Sequence, residues 1–421
     1  MADSSELILF YIFLWGITLY YFWKKKKTYD SGIFIISTYL LYGVLSLFVY
    51  NHPNSKFDEL SLIPFVYLFI MLFVALYPVL KYDVKCRIYP PSKMLLSGIS
   101  YLYIALSILI IPVVLSNIIE GFLFVLLDPG GGEELYSSYR MGSSSNSEKT
   151  IFTYFKFGYN FLSDISVLLF FYQLTSKKKN YLIIYGLLFA IVISLLESIS
   201  NGLRTSMTMK ILQLTACYFL FKDKFSQKTR KVTKMIGSSF VSLVVILILA
   251  INSSRFSGGN YDSNYQLLYY AGQASLYFNE YCLDAGGTRN GDRTCNSFKK
   301  WLMFDNVPKD LEDVRSKYSN MRLNDEVFST YIGDFCLDFG PEVTAVIIFS
   351  FSFFFLLLTR HRRYFKFHQL IMVFFVMTVC VQGGMYLFYF SFKNNIKIVA
   401  FWVFYFLFKF DYDFHVRAKR I

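Results

Sequence analysis

The sequence predicts an all-α, polytopic integral membrane protein with about eleven transmembrane helices and one large outer loop subdomain between the eighth and ninth spans. Three observations predict it. Hydrophobic residues make up 55% of the 421, and mean hydropathy is +0.42, more apolar surface than a soluble fold has polar side chains to cover. Aromatic residues reach 20%, with 47 Phe and 34 Tyr, which suits lipid tails and the interfacial zones where amphipathic rings settle. Finally, apolar runs recur along the chain, most of them of the roughly 17 to 25 residues that cross a hydrocarbon core as a helix, with those from Thr205 and Ile396 the shortest.

Taken in order, the runs are Leu7–Trp23, Gly32–Tyr50, Leu62–Leu80, Met94–Ser116, Ile151–Thr175, Tyr181–Ile199, Thr205–Phe221, Met235–Ile251, Phe335–Leu358, Gln369–Phe388 and Ile396–Phe408. Short cytoplasmic links retain Lys and Arg, so the links fix orientation. The basic ones are Lys24–Lys27, Lys81–Arg87, Lys177–Lys179, Lys222–Lys234, Arg360–Lys366 and the tail HVRAKR. Eleven spans put every one of them on the same side, with the N-terminus outside and the C-terminus inside. The chain then divides into 1–251 with eight spans, an extracytoplasmic loop at 252–334, and 335–421 with three spans and a cytoplasmic tail.

Three outer segments are longer than turns. Asn117–Thr150 holds IIEGFLFVLL, too short to span and read as an interfacial or re-entrant piece, followed by DPGGGEE. The short loop Asn51–Ser61 carries His52, Asp58 and Glu59. Asn252–Asp334 is large enough to fold, with an amphipathic helix expected in KDLEDVRSKYSNMR, where Leu311, Val314, Tyr318 and Met321 share a face.

Several function classes are excluded. The net charge of +13 sits mainly in links between apolar runs and not on a solvated basic domain, so nucleic acid is not an expected partner. The acidic start MADSSELILF lacks the basic n-region of a removable signal peptide, so the first span is expected to be retained. Six scattered cysteines make no disulfide scaffold, and without C-x-x-C or a Cys/His cluster no metal or other cofactor is expected. Cys282 and Cys295 share the large outer loop and could be bonded in an oxidising compartment.

The candidate chemistry begins at SISNGLRTSM, where Asn201, Gly202 and Arg204 lie in the joint between two spans at the outer face. Arg255, just after the eighth span, falls at the same level. A guanidinium is a planar fork of donors suited to phosphate oxygens, so the two could clamp a diphosphate. Each could equally snorkel to lipid headgroups or pair with a loop carboxylate. Glu197 and Lys210, at the edges of the flanking spans, are expected to face a cavity or a partner, including one another. In the large loop, Tyr269 and Tyr277 belong to an aromatic cluster that can stack on sugar faces or anchor in the membrane interface.

The stretch VFSTYIGDFCLDFGPEV (Val327–Val343), with LLYYAGQASLYFNEY (Leu267–Tyr281) and the Asn-Gly-Leu-Arg joint, resembles the oligosaccharide repeat-unit polymerases of the O-antigen polymerase (Wzy) class. In that class an aromatic-Thr element precedes an Asp-Phe-Gly by eight residues; Thr330 and Asp338-Phe339-Gly340 keep that spacing, while Val327 stands where the class often has Asn. The resemblance implies a glycosyltransferase at the outer face of a bacterial cytoplasmic membrane, with undecaprenyl diphosphate-linked oligosaccharide as substrate and membrane lipid and a chain-length regulator as partners. It would transfer the growing glycan to the next lipid-linked unit. Arg204 and Arg255 would stabilise the leaving diphosphate, and Asp338 would act as base ahead of Glu197, Glu280 and Asp334. Asn201, Lys210, Tyr269, Tyr277, Thr330 and Tyr331 would line the substrate. Asp338 could also be a helix N-cap. Other readings are a lipid-linked glycan ligase, a polyprenyl-phosphate glycosyltransferase using Asp58 and Glu59, and a flippase.

Overall fold

The computed structural model describes residues 4–127, 151–200, 203–256, 263–322, 328–360, 364–385, 389 and 394–418. Each of the predicted apolar runs is helical over most of its described residues, because a chain in hydrocarbon must satisfy its backbone groups within each segment. Among the described residues, seven helices are long and apolar enough to cross a membrane: Ser4–Lys26, Ser31–Tyr50, Leu62–Lys81, Lys93–Pro112, Tyr181–Ser198, Gln227–Ser253 and Pro341–Leu358. The protein is an all-α membrane protein whose described residues include one two-residue parallel pairing, of Ile88–Tyr89 with Phe365–Lys366.

Three boundaries differ from expectation. The fourth helix runs from Lys93 to Leu127, so IIEGFLFVLL continues a helix and is not a separate re-entrant piece. The eighth begins at Gln227 and takes in the basic stretch, since Lys, Arg and Gln are good helix formers. The ninth run is broken: Tyr331–Phe339 and Pro341–Leu358 are separate helices that meet at Gly340. Gly340 has φ 79° and ψ 162°, a conformation open essentially to glycine, and Pro341 follows at the first helical position.

The chain forms two compact units, each assembled from separate stretches. The first comprises 1–83, 264–362 and 372–399. Its first three helices pack on aromatic contacts such as Trp15 with Tyr39 and with Phe69, at ring distances of 4.9 and 4.8 Å. The stretch LLYYAGQASLY lies in a helix, Ser263–Tyr277, laid against Ser31–Tyr50. Close approach is possible because Gly272 faces the backbone of Leu45, where a Cβ would come within 2.7 Å. Ser46 Oγ donates to the Gly272 carbonyl at 2.7 Å and meets Ser275 Oγ at the same distance. At this end of the unit Leu60 N donates to Ser4 Oγ, Ser61 exchanges two hydrogen bonds with Asn279, and Tyr265 Oη donates to the Asn54 carbonyl. The N-terminus, the 51–61 loop and the large loop therefore share one end.

The second unit comprises 84–263, 363–371 and 400–421. Its basic links converge. Lys224 donates to the carbonyls of Val84 and Cys86, Lys179 to Thr229, and Ser92 N to Asp411, beside the short strand pair. Arg204 starts the 18-residue helix that ends at Phe221. It therefore lies about 27 Å from this basic end, at 1.5 Å per residue.

Candidate functional site: a buried arginine–aspartate cluster

In the first unit, the helix Tyr331–Phe339 starts on Thr330, whose Oγ accepts from Gly333 N at 3.2 Å. This is an N-cap, so Thr330 has a structural task at the position named as substrate-binding. One helical turn apart, Asp334 and Asp338 fall on the same face. Opposite them stand two arginines that the sequence analysis did not single out, Arg289 and Arg293, also spaced by four in the loop after the Phe278–Cys282 π turn. Arg289 Nε lies 2.7 Å from Asp338 Oδ1, while its Nη2 lies 3.4 Å from Asp334 Oδ1 and donates to the Asp334 carbonyl at 3.2 Å. Arg293 Nη1 approaches Asp334 Oδ1 at 2.9 Å. Thr294 N donates to Asp338 Oδ2 at 2.7 Å.

Arg289, Asp334 and Asp338 are wholly buried, and Arg293 keeps 8% of its side chain exposed. Asp338 is not an N-cap. Gly340 ends the short helix, which puts Asp338 in its last turn, where a carboxylate opposes the helix dipole and the Arg289 guanidinium offsets it. With one oxygen on Arg289 and the other on Thr294 N, Asp338 is set up to hold an arginine.

The loop bearing the arginines is braced at Asp292. Its carboxylate accepts from Lys299, from Lys317 at 2.7 Å and from Tyr318 Oη at 2.7 Å. Burial alone would raise its pKa, but these donors outweigh burial and hold it below the ordinary value. Lys317 and Tyr318 come from the expected amphipathic helix, which covers Leu311–Lys317 with Val314 buried. Burial first, and then the hydrogen bond to Asp292, raises the Tyr318 hydroxyl.

The remaining predicted residues of this unit separate into core and rim. Tyr277 is buried and packs against Tyr281 at 5.0 Å, and Tyr331 is buried against Gly383, where a Cβ would meet its ring at 2.3 Å. Neither ring is presented for stacking on a sugar. Tyr269 is half-buried beside Phe57 and Tyr265. Glu280, half-buried in the π turn, hydrogen-bonds Tyr281, and that bond, ahead of burial, pushes the tyrosine up to about 12. Cys282 and Cys295 are both free thiols, so the disulfide left open by the sequence does not form; Cys282 is buried close to Gly333.

The second unit carries the other predicted cations. Arg204 Nη1 donates to Asn252 Oδ1. Arg255 follows Asn252 by three residues on the helix Gln227–Phe256, about 4.5 Å along its axis, so the two arginine positions share a level. Asn201 lies outside the described residues. Lys210 pairs with Asp164 at 3.2 Å, a contact shared by Gln213, and Glu197 pairs with Lys156 at 2.6 Å.

No family model, curated protein or solved structure matches this chain. Two arginines are held by two buried carboxylates just before the helix Pro341–Leu358, and their planar forks are fixed in place by those ion pairs.

Proposed function

We propose that this protein polymerises undecaprenyl diphosphate-linked oligosaccharide repeat units at the outer face of a bacterial cytoplasmic membrane. The observation that carries the reading is the Arg289–Arg293 pair, fixed by Asp334 and Asp338 in the short helix that precedes the helix Pro341–Leu358. In this reading eleven spans place that loop outside, at the same end of the unit as the N-terminus. An acceptor sugar hydroxyl attacks the anomeric carbon of the growing chain. The new glycosidic C–O bond forms as the C–O bond to the lipid diphosphate breaks. The hydroxyl proton passes to a carboxylate, and the electron pair leaves on the diphosphate.

Each residue has an assigned task. Arg293, with its partial exposure, meets the diphosphate, and Arg289 backs it. Asp334 and Asp338 are positioning residues in this scheme. Glu280, half-buried, takes the base role first assigned to Asp338, whose two oxygens are engaged. Arg204 and Arg255 bind phosphate in the second unit, and Lys210, Glu197 and Asn201 are assigned to the same substrate. Tyr269 contacts the glycan, and a chain-length regulator is the protein partner.

The test is incubation of the purified protein with a defined lipid-linked repeat unit. A ladder of longer products supports polymerisation. Single-unit products joined to a different acceptor would make it a ligase, and movement of unaltered substrate across vesicles would make it a flippase.

A further inference from the structure

Beyond the buried cluster, the described residues of the large loop expose one run of apolar side chains. Trp301, Leu302, Met303 and Phe304 are 51%, 72%, 89% and 57% exposed. They form a built turn. Phe304 N donates to the Lys299 carbonyl at 3.0 Å and Met303 N to the Lys300 carbonyl at 3.2 Å, closing the short helix Asn296–Trp301 in a Schellman motif. The left-handed position of that motif ordinarily goes to glycine. Here it holds Met303, at φ 58°, so a bulky apolar side chain is the most exposed group of the turn. A surface loop in water gains nothing from this choice.

The base of the turn is fixed beside the starts of two helices. Ser297 N donates to Asn395 Oδ1 at 3.0 Å and Asn395 Nδ2 to the Thr294 carbonyl at 2.9 Å, and Asn395 opens the helix Asn395–Ala418. Arg289 N donates to the Leu337 carbonyl at 2.9 Å, three residues before Gly340 and the crossing helix Pro341–Leu358. Lys300 and Asp305, both exposed, flank the apolar tip, and exposed Lys309 follows a few residues on. Trp at the tip with Lys beside it is the composition that settles at the boundary between headgroups and acyl chains, where lysines reach phosphates and rings reach hydrocarbon.

We propose that the Trp301–Phe304 turn inserts into the lipid interface and fixes the depth of the arginine-bearing loop over the membrane. The occupant is a phospholipid surface. A nitroxide placed by Met303→Cys tests this in the full chain, with Cys86 and Cys295 changed to Ser because they are the free cysteines that are not buried. The protein is reconstituted in vesicles of phosphatidylethanolamine and phosphatidylglycerol. Collisions of the label with oxygen should be several-fold more frequent than with a water-soluble nickel chelate. The order should reverse at Glu312→Cys, on the exposed face of the neighbouring helix. A label at Leu302→Cys should repeat the Met303 result and shows that it does not depend on one side chain. Nickel access at 302 and 303 equal to that at 312 would overturn the proposal. So would shielding from both reagents, which would mean that a protein surface covers the turn.

Discussion

Arg289 Nε stands 2.7 Å from Asp338 Oδ1, with both side chains wholly buried. A buried ion pair has a large desolvation cost, and removing one member leaves the other charge uncompensated. Arg289→Ala and Asp338→Ala should each destabilise the first unit by about 3–5 kcal/mol. The double change Arg289→Met with Asp338→Leu should recover most of that loss. Thermal unfolding in detergent, arranged as a double-mutant cycle, checks this.

Arg293 keeps a little exposure and touches Asp334 through Nη1. Arg293→Lys preserves the charge but loses the planar fork, so transfer activity should fall about tenfold or more, equivalent to about 1.4 kcal/mol or more in the barrier. The thermal midpoint should stay near wild type, and wild-type turnover in this variant would remove Arg293 from the reaction.

Asp292 is held below its ordinary value of 3.8 by Lys299, Lys317 and Tyr318 against the upward push of burial. Its folded pKa is depressed, so its contribution to stability is fully present above 3.8 and is lost as pH falls through the lower folded value. Melting curves below about pH 5 should show wild type losing stability more steeply than Asp292→Asn. Parallel curves would mean that the brace does not depend on the carboxylate charge.

Gly340 holds φ 79° and ψ 162° between two helices. Gly340→Ala should cost about 1–3 kcal/mol, the usual strain of that region. Gly16→Ala is the control: it lies mid-helix with nothing within 4 Å of an added Cβ, and should be neutral or stabilising by up to about 1 kcal/mol. Denaturation midpoints of the two variants measure the difference.

Mass spectrometry without reductant should find Cys282 and Cys295 as free thiols. Maleimide should modify Cys295 slowly near neutral pH, because burial raises its pKa, and should leave buried Cys282 untouched in the folded protein.

The helices were legible because hydrocarbon leaves a backbone few options, and long apolar runs report that directly. The break at Gly340 was legible in principle. In FGPE, Gly stands at a C′ position and Pro at the next helix start, a stop-and-start signal outweighed by the apolar run around it. Arg289 and Arg293 do not stand out in the sequence because cations in a polar loop are normally solvated. Their signal was relational: arginines spaced by four in TRNGDRTC match the aspartates spaced by four in DFCLD. An aromatic cluster around Tyr277 and a resemblance at Tyr331 do not distinguish a ring packed in the core from a ring facing a sugar. The position of Gly383 against Tyr331 appears only once the chain is folded.

The most direct test of the proposed reaction is its stoichiometry. With a radiolabelled lipid-linked repeat unit, one undecaprenyl diphosphate should be released for each repeat unit added to the glycan. Arg293→Lys should lower release and elongation in the same proportion. Elongation without release of the diphosphate lipid, or release of a monophosphate lipid in its place, would contradict the account.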